Sequence, residues 1–307
     1  MAIYSAFAKN IIRKPILLYL TCLYVFFPNS ILSEEMSSFV IVTAADERFF
    51  PCLLNFIGGI HKVNFDDLGE IAVFDLGLTS EQRLYLGNIA KTNIYSVEMT
   101  HPDLVTNFVT RPCGRIARGW YAWKPVIIKQ ALDMFPEILY IDSGILILKP
   151  LNNLFKHIHK HGYFLLDCAH SIEIMTTDYV IEQFDLHSND RQWILNQNTF
   201  GISAGFQGLT HQLYNDYVLP MYEHSKNLRL FIDDGTAPGG FGNAREDQLL
   251  FSIYARLLHL NIFPLYSRNN IDGDVPATYT MYADFITGGL ENLSNRPDLK
   301  PYIRFKS

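Results

Sequence analysis

The sequence predicts an α/β fold with a mainly parallel sheet flanked by helices. Three short apolar runs rich in β-branched residues, at 39–43, 71–76 and 94–99, are separated by segments with helical spacing. Apolar runs of this length, bounded by polar residues, are typical of buried strands. Strands that alternate with helices are joined by crossover connections, which place the strands parallel to one another.

The first half of the chain supplies these elements in order. The strand FVIVT at 39–43 is followed by a turn at 44–47 and by a predicted helix over about 50–61. Thr79 caps a second predicted helix that runs to about residue 90, because a threonine side chain can accept from the free N–H groups of a first helical turn.

The second half begins with the strongest helical signal. Apolar residues recur at helical spacing over 120–135, and Pro125 suits the first turn of a helix. The run ILYI at 138–141 predicts a strand that ends at Asp142. The later predicted elements are strands at 145–148 and 163–166, a stretch rich in small residues at 199–208, and helices at about 212–226 and 246–259. We see no repeat and no linker, so residues 34–307 are predicted to form a single domain.

The charge balance argues against a nucleic-acid-binding protein. The chain has 307 residues, of which 49% are hydrophobic and 18% charged, and a net charge of −6. The first 33 residues hold three basic residues and no acid, so the remainder has 22 basic against 31 acidic residues, or −9. A nucleic-acid binder needs a basic face. A local basic pocket for a diphosphate is compatible with this balance.

The four cysteines predict no metal site. Their spacing lacks any zinc-like pair, and the three outside the N-terminal segment allow one disulfide at most. We interpret them as buried small hydrophobes. They are Cys22, Cys52, Cys113 and Cys168.

The N-terminal segment, 1–33, has the pattern of a signal peptide or signal anchor. Arg13 and Lys14 precede an uncharged run at 16–27, and a basic flank before a short apolar run is typical of secretory signals. Twelve residues are fewer than the roughly 20 that span a membrane. The alternative is a buried helix. Both signal interpretations place the rest of the chain in the lumen of the secretory pathway, in the ER or Golgi, or outside the cell. The triplet Asn292-Leu293-Ser294 is a potential N-glycan acceptor there.

The segment Asp142-Ser143-Gly144 is the central candidate site. Ligands of open α/β sheets bind at the carboxyl ends of the strands, and Asp142 follows a predicted buried strand. A carboxylate at that edge can bind Mg²⁺ or Mn²⁺, which would neutralise a leaving diphosphate. The alternative is an aspartate that only ends a strand at a turn.

Basic residues cluster before the strand. Lys124 lies next to Pro125 at a predicted helix N-terminus, where free N–H groups and the helix dipole favour anions. Arg115 and Arg118 lie nearby, in a loop interrupted by glycine. The segment therefore predicts a diphosphate site, and the alternative for the two arginines is a solvated basic turn.

Two acids open a later helix. Glu246 and Asp247 follow a glycine-rich loop at 238–243, which predicts a mobile lip over a ligand. A carboxylate there can serve as general base toward an acceptor hydroxyl. The alternative is that both acids only stabilise the helix through its dipole.

The alternating histidines His157, His159 and His161 are interpreted as a solvated polar face and not as a metal cluster. Alternate positions of a helix do not share a face, and Lys156 and Lys160 lie between the histidines.

Taken in order, these segments resemble glycosyltransferases of the GT-A superfamily, most closely the family-8-like transferases that use nucleotide-diphospho-sugars. The segments that carry the resemblance are FVIVTAAD, WYAWKPVIIKQAL, ILYIDSGILILKPL, GISAGFQGL and REDQLLFSI, between residues 39 and 260. The resemblance implies the GT-A fold, a Rossmann-like mixed sheet that is mainly parallel, and transfer of a hexose to a glycan, glycoprotein or glycolipid.

The resemblance also implies roles for single residues. Asp142 would be the metal and ribose acid within the donor-binding segment 142–144, and Lys124 would meet the diphosphate or the sugar. Asp247, with Glu246, would lie near the acceptor or the anomeric carbon. The remaining donor-binding residues would line the nucleotide pocket or pass close to the sugar, namely Thr43, Ala44, Asp46, Ala204 and Gly205.

One departure from the family pattern concerns the metal. Gly144 stands where the Asp-x-Asp motif has its second acid. Either Asp142 binds Mn²⁺ or Mg²⁺ with a ligand from the C-terminal third, or the metal is bound weakly, or none is needed. The same departure favours a second hypothesis, a catalytically inactive lumenal module that binds a sugar or a partner. A third hypothesis, a nucleotidyltransferase, is disfavoured because no Gly- and Lys-rich phosphate loop follows the first strand.

Overall fold

A six-stranded mixed sheet forms the centre of the fold. The computed structural model describes residues 39–109, 114, 116–264 and 296–306, and the backbone of 279–280. The sheet consists of β1 (Phe39–Ala45), β2 (Leu68–Asp75), β3 (Thr92–Ser96), β6 (Glu137–Ile141), β8 (Tyr163–Ser171) and β9 (Phe200–Thr210). These strands lie in the order β3-β2-β1-β6-β9-β8. Two short antiparallel pairs lie outside it, β4 (Asn107–Val109) with β5 (Ile116–Arg118) and β7 (Leu146–Ile147) with β10 (Tyr279–Thr280).

Helices connect the strands. They are α1 (Phe50–Asn64), α2 (Ser80–Gly87), α3 (Trp123–Met134), α4 (Asn152–His161), α5 (Ile172–Met175), α6 (Asp178–Gln183), α7 (Leu219–His224) and α8 (Glu246–Leu257). Thr79 caps α2 as predicted, because its side chain accepts from the backbone N–H of Gln82 while Gln82 reaches back to the N–H of Thr79.

The predicted mixed, mainly parallel sheet is confirmed. β1 pairs in parallel with β2 and β6, and β2 pairs in parallel with β3. β9 runs antiparallel to both β6 and β8. The strands β1, β2, β3 and β6 therefore end at the same edge of the sheet.

Both faces of the sheet are covered by helices. Alternate side chains of β1 point to opposite faces, so Ile41 packs with the helices α1 and α4 while Val42 packs with α3 and α8. Both side chains are fully buried. Because helices cover both faces of β1, all of its side chains are buried. Its sequence is therefore a continuous hydrophobic stretch and not an alternation of apolar and polar residues.

Several predicted elements differ from the structure in their bounds. The predicted helix at 212–226 is divided into a 3₁₀ turn, a π-helical turn at Tyr214–Val218 and α7. The predicted strand at 145–148 is only two residues long. The stretch of small residues forms β9, whose central part is buried between β6 and β8.

The described part of the chain holds no helix that is both long and apolar enough to cross a membrane. The predicted signal segment, Cys22, Cys113, Arg115 and the Asn292 triplet lie outside the described residues. Cys52 is buried, as predicted, and burial raises the pKa of its thiol to about 11. Cys168 is half-buried.

Candidate functional site

A cleft opens where the chain order of the sheet reverses. From β1 the chain proceeds outward to β2 and β3, and it returns to the other side of β1 as β6. The connections on the two sides of this point diverge, which leaves a crevice at the carboxyl ends of the strands. The residues that line it are Ala44, Ala45, Asp46, Arg48, Phe49, Leu76, Ile116, Arg118, Tyr121, Trp123, Asp142, Ser143, Gly144 and Ile145.

Asp142 is fixed from behind and open toward the cleft. Its backbone N–H donates to the carbonyl of Gly205 at 2.9 Å, and its Oδ1 accepts from the Tyr140 hydroxyl at 2.5 Å. A β-carbon on Gly205 would lie 2.5 Å from Oδ2, so glycine is needed there for the carboxylate to keep this position. The side chain of Asp142 is nevertheless 43% exposed. Burial, with the neighbouring carboxylate, raises the pKa of Tyr140 well above its ordinary value, so the hydroxyl stays a donor.

The Lys124 ammonium lies between two carboxylates. Its Nζ is 3.2 Å from Oδ1 of Asp142 and 2.8 Å from Oδ2 of Asp247. The shorter contact is an ion pair between two buried side chains. Burial lowers the pKa of Lys124, but the two carboxylates outweigh burial and raise it above its ordinary value. Lys124 is therefore charged, and its two ion pairs connect the end of β6 to the start of α8.

Asp247 and Glu246 lie in the first turn of α8, and both are buried. Burial raises the pKa of Asp247, and the Lys124 ammonium opposes this effect. Glu246 has a φ of 37°, a left-handed backbone conformation that costs a non-glycine residue on the order of 1–3 kcal/mol. Such strain is concentrated at functional sites, because only a well-packed surrounding structure can maintain it.

A second charged cluster surrounds Asp46 on the other wall of the cleft. Oδ2 of this buried carboxylate lies 3.0 Å from Nη2 of Arg48 and 3.0 Å from Nε of Arg118. Oδ1 accepts from the backbone N–H groups of Arg48 and Phe49 at 3.0 and 3.1 Å. Arg118 is held a second time, since its Nη1 donates to the carbonyl of Val105 at 2.8 Å.

A left-handed turn connects Arg118 to α3. Gly119, Trp120 and Tyr121 have φ values of 52°, 45° and 61°. The indole N–H of Trp123 spans the turn and donates to the carbonyl of Arg118 at 3.0 Å. The turn therefore fixes Arg118 against one wall of the cleft and brings Tyr121 and Trp123 to the same cavity.

The predicted site residues fall into two groups. The first group lines the cleft and contains Ala44, Asp46, Asp142, Ser143 and Gly144. The second group is buried behind that surface and contains Thr43, Lys124, Ala204, Gly205, Glu246 and Asp247. The ammonium of Lys124 does not line the cleft; it lies behind Asp142 and contacts the carboxylates of Asp142 and Asp247.

Sequence reasoning missed Arg48 and Tyr140. Arg48 follows Asp46 by two residues, which is a spacing at which a side chain can return to a turn carboxylate, but nothing in the sequence identified the partner. Tyr140 lies within the apolar run of β6, and the sequence predicts it only as part of that strand. It is indeed fully buried, and its hydroxyl nevertheless reaches Asp142.

The described residues offer a Mg²⁺ or Mn²⁺ ion at the segment 142–144 one carboxylate, that of Asp142. Mg²⁺ is commonly bound by one or two carboxylates together with waters and substrate phosphates. Here Oδ1 of Asp142 already contacts Lys124 and Tyr140, and Gly144 supplies no side chain. Among the residues that the structure describes, no group of three or more His, Cys, Asp or Glu side chains could hold a metal ion.

The prediction of a solvated histidine face is wrong for one of its three members. His157 is buried, and its ring packs edge-on against Phe164 and Phe263. His159 is exposed and lies 3.0 Å from Glu137. His161 follows His157 by one helical turn, so the two rings are neighbours at 4.4 Å.

No protein-family model and no curated protein matches the chain. Among solved structures, the chain is similar to the galactosyltransferase LgtC in complex with donor and acceptor sugar analogues. The two sequences are 11% identical, the TM-score is 0.49, and the match covers 86% of this chain and 96% of the LgtC chain. Core-mannan synthase A of Aspergillus fumigatus, in its Mn/GDP form, is 10% identical with a TM-score of 0.47 and coverages of 84% and 82%. Mouse xyloside xylosyltransferase 1 is 11% identical with a TM-score of 0.41 and coverages of 74% and 84%.

Proposed function

We propose that the chain is a glycosyltransferase that moves a hexose from a nucleoside-diphosphate sugar to a hydroxyl of a glycan, glycoprotein or glycolipid. The observation that carries the proposal is the cleft at the point where the sheet order reverses. Its walls present a fixed, exposed carboxylate, Asp142, opposite two arginines held by Asp46. A donor of this class has matching chemistry, since it joins an anionic diphosphate to a hydroxyl-rich sugar.

In the proposed reaction the bond between the anomeric carbon and the diphosphate oxygen breaks, and the acceptor oxygen forms the new bond. The acceptor hydroxyl passes its proton to a carboxylate at the start of α8, which acts as the general base, and the diphosphate leaves with the bonding electrons. The developing charge is oxocarbenium-like on the sugar and negative on the diphosphate. We propose that Ala44 and Asp46 border the nucleotide, that Asp142 to Gly144 border the ribose and sugar, and that the acceptor side is formed near Glu246 and Asp247.

Burial supports an acid–base role for Asp247 at the start of α8. A raised pKa brings a carboxylate closer to the range in which it exchanges protons near neutral pH, and burial raises the pKa of Asp247. Lys124 connects Asp247 to Asp142, so a change of charge at one carboxylate is felt at the other. We propose that this three-membered cluster couples donor binding to the acceptor side.

The alternative is a catalytically inactive module that binds a sugar or a partner. Two observations favour it: Gly144 lacks the second acid of the family motif, and Lys124 already occupies one oxygen of Asp142. Turnover separates the two functions, because a binding module would bind the donor without releasing its sugar.

The test uses the full-length chain in mild detergent with a panel of nucleotide sugars. Thermal stability reports binding, since a ligand at 100 times its dissociation constant adds about 2.7 kcal/mol to the stability. Chromatography of released nucleotide reports turnover. We expect one donor to be turned over, and Asp142→Asn to abolish turnover, while Asp66→Asn, on a side chain that is 94% exposed, behaves like the wild type. Binding without turnover would favour the inactive module, and absence of binding would contradict both functions.

We also propose that the protein is located in the secretory pathway. The basic and apolar pattern of residues 1–33 supports a lumenal domain in the ER or Golgi, anchored or secreted. Expression in a eukaryotic cell, with protease protection of the microsomal fraction, tests it. A fully protected C-terminal domain is the expected result, and digestion of that domain in intact microsomes would contradict the proposal.

A further inference from the structure

We propose that Arg48 and Arg118 bind the diphosphate of the donor and that this binding needs no divalent cation. The inference rests on the proposed function, because it assumes a nucleoside diphosphate in the cleft. It assigns the anionic part of the donor to the wall around Asp46 and not to a metal bound at Asp142.

The first step is the distribution of charge around the cleft. Arg48 and Arg118 are the cationic side chains among the described residues that line it. The ammonium of Lys124 is turned away, with its side chain 4% exposed, and contacts Asp142 and Asp247. A diphosphate is the most highly charged part of the donor, so electrostatic attraction directs it toward the two guanidinium groups.

The second step is the excess of positive charge. Asp46 supplies one carboxylate, and both Arg48 and Arg118 contact the same oxygen, Oδ2. One guanidinium would suffice to neutralise a buried carboxylate, so the second leaves a net positive charge at the wall of a cleft that is otherwise mostly apolar. A buried structural ion pair needs no such excess.

The third step is the fixed orientation of the guanidinium groups. Nε of each arginine donates to Asp46, and Nη1 of Arg118 donates to Val105. The guanidinium of Arg118 also packs closely against Gly77, since a β-carbon on Gly77 would lie 3.2 Å from Nη1 of Arg118. Among the described residues, no acceptor contacts Nη1 of Arg48 or Nη2 of Arg118. These N–H groups match the fork geometry that binds phosphate oxygens.

The fourth step concerns the opposite wall. The described residues at Asp142 leave a divalent cation one free carboxylate oxygen, Oδ2, because Lys124 and Tyr140 already contact Oδ1 and Gly144 has no side-chain ligand, and the Lys124 ammonium would repel a cation there. The positive charge beside Asp142 is instead the ammonium of Lys124, which is part of the chain. Among the described residues, the cationic groups that line the cleft are therefore those of Arg48 and Arg118, on the wall around Asp46.

Isothermal titration of the full-length chain with UDP, GDP and CDP tests the inference, first with EDTA and then with Mn²⁺. We expect one of these nucleotides to bind with dissociation constants that agree within about threefold in the two conditions. Arg48→Gln is expected to weaken binding at least tenfold, the loss of roughly one charge-assisted hydrogen bond. Arg229→Gln is the matched control, because Arg229 is exposed and stacks on Tyr179.

A second variant guards against misfolding. Arg118→Lys keeps a positive charge beside Asp46 but lacks the planar fork, so it is expected to fold and to bind the nucleotide more weakly. Circular dichroism and thermal melting confirm folding of each variant. Nucleotide binding that requires Mn²⁺, or unchanged binding in both arginine variants, would overturn the inference and leave the proposed function standing. A chain that binds no nucleotide in either condition would overturn both.

Discussion

Gly205 lies so close to Asp142 that the carboxylate of Asp142 keeps its position only because Gly205 has no side chain. A β-carbon on Gly205 would lie 2.5 Å from Oδ2 and 3.0 Å from Cγ of Asp142. The atoms that must move belong to a flexible side chain, so the fold can accommodate Gly205→Ala. The carboxylate, however, would leave Lys124 and Tyr140. We expect donor affinity to fall roughly tenfold or more, as for a lost hydrogen bond to a charged group.

Gly87→Ala is the matched control for that change. Gly87 lies in α2 and does not line the cleft, and a β-carbon there meets nothing within 4 Å, so the alanine variant is expected to bind the donor as the wild type does. Titration calorimetry measures both affinities, and thermal melting measures both stabilities. Equal affinity of the Gly205→Ala variant and the wild type would show that the position of Asp142 does not matter for binding.

Gly144→Asp would restore the second acid of the family motif. Since the added β-carbon meets no atom within 4 Å, we expect a change in stability within about 0.5 kcal/mol, as for other open surface positions. Two carboxylates at the edge of the cleft offer hard oxygen ligands, so the variant is expected to bind Mn²⁺ more tightly than the wild type does. Electron paramagnetic resonance of free Mn²⁺ measures this directly. Equal Mn²⁺ binding by both proteins would contradict the prediction.

Lys124→Met would leave two carboxylates without their shared cation. Removing one partner of a buried ion pair costs about 3–5 kcal/mol of folding stability, so a large loss is expected in urea unfolding. Lys129→Met provides the control, because the Lys129–Asp133 pair lies one helical turn apart at the surface and such pairs contribute about 0.5 kcal/mol or less.

The double variant Lys124→Met with Asp247→Asn separates charge from packing. Because the neutral amide removes the more deeply buried negative charge, the double variant is expected to be more stable than Lys124→Met alone. Additive losses in the two single variants would show that the pair is not coupled.

The strand end at Asp142 was predictable because its signal is local. The apolar run of β6 and the acid after it are contiguous, and the same pattern located β1 and β2. The Lys124–Asp247 ion pair was not predictable, because the two residues are far apart in the chain and come together only when α3 and α8 pack on the same face. The expectation that Lys124 contacts the diphosphate rested on its position at a helix N-terminus. It did not take into account the carboxylates of Asp142 and Asp247, which the fold brings next to the ammonium.

His157 illustrates a second limit. Alternation of His and Lys along α4 predicts scattered positions, but it does not show which of them faces the core. The packing of α4 against β8 determines that, and it buries His157 while leaving His159 exposed.

The division of the chain into a signal segment and one domain stays a prediction.

His61 makes stability depend on pH. Its ring is buried and its Nδ1 accepts from the backbone N–H of Arg304. Burial, with the charge of Arg304, lowers its pKa from 6.5 to about 4. The folded state therefore keeps the ring neutral, and its contribution is complete above pH 6.5 and lost as pH falls toward 4. This loss amounts to at most about 3.5 kcal/mol, since the pKa falls from 6.5 to about 4 and each pKa unit corresponds to about 1.4 kcal/mol.

Urea unfolding at several pH values measures the slope. His61→Gln retains an acceptor without titrating, so we expect a smaller loss of stability between pH 6.5 and 4. The slope does not vanish, because burial also lowers the pKa of His170 and His224. His187→Gln, at an exposed position, is the control. An unchanged slope in His61→Gln would contradict the assignment.

Gly119 is the position where the turn before α3 cannot accept a side chain. Its φ is 52°, and a β-carbon would lie 1.7 Å from the carbonyl oxygen of Leu104, a backbone atom that cannot turn away. Gly119→Ala is therefore expected to destabilise the fold by more than the roughly 1–2 kcal/mol that a left-handed conformation alone costs, and to move Arg118 away from Asp46. Gly87→Ala meets no atom within 4 Å and lies in α2, so it is expected to be neutral or stabilising by up to about 1 kcal/mol. Thermal and urea unfolding compare the two variants, and equal stability would show that the turn can rearrange without cost.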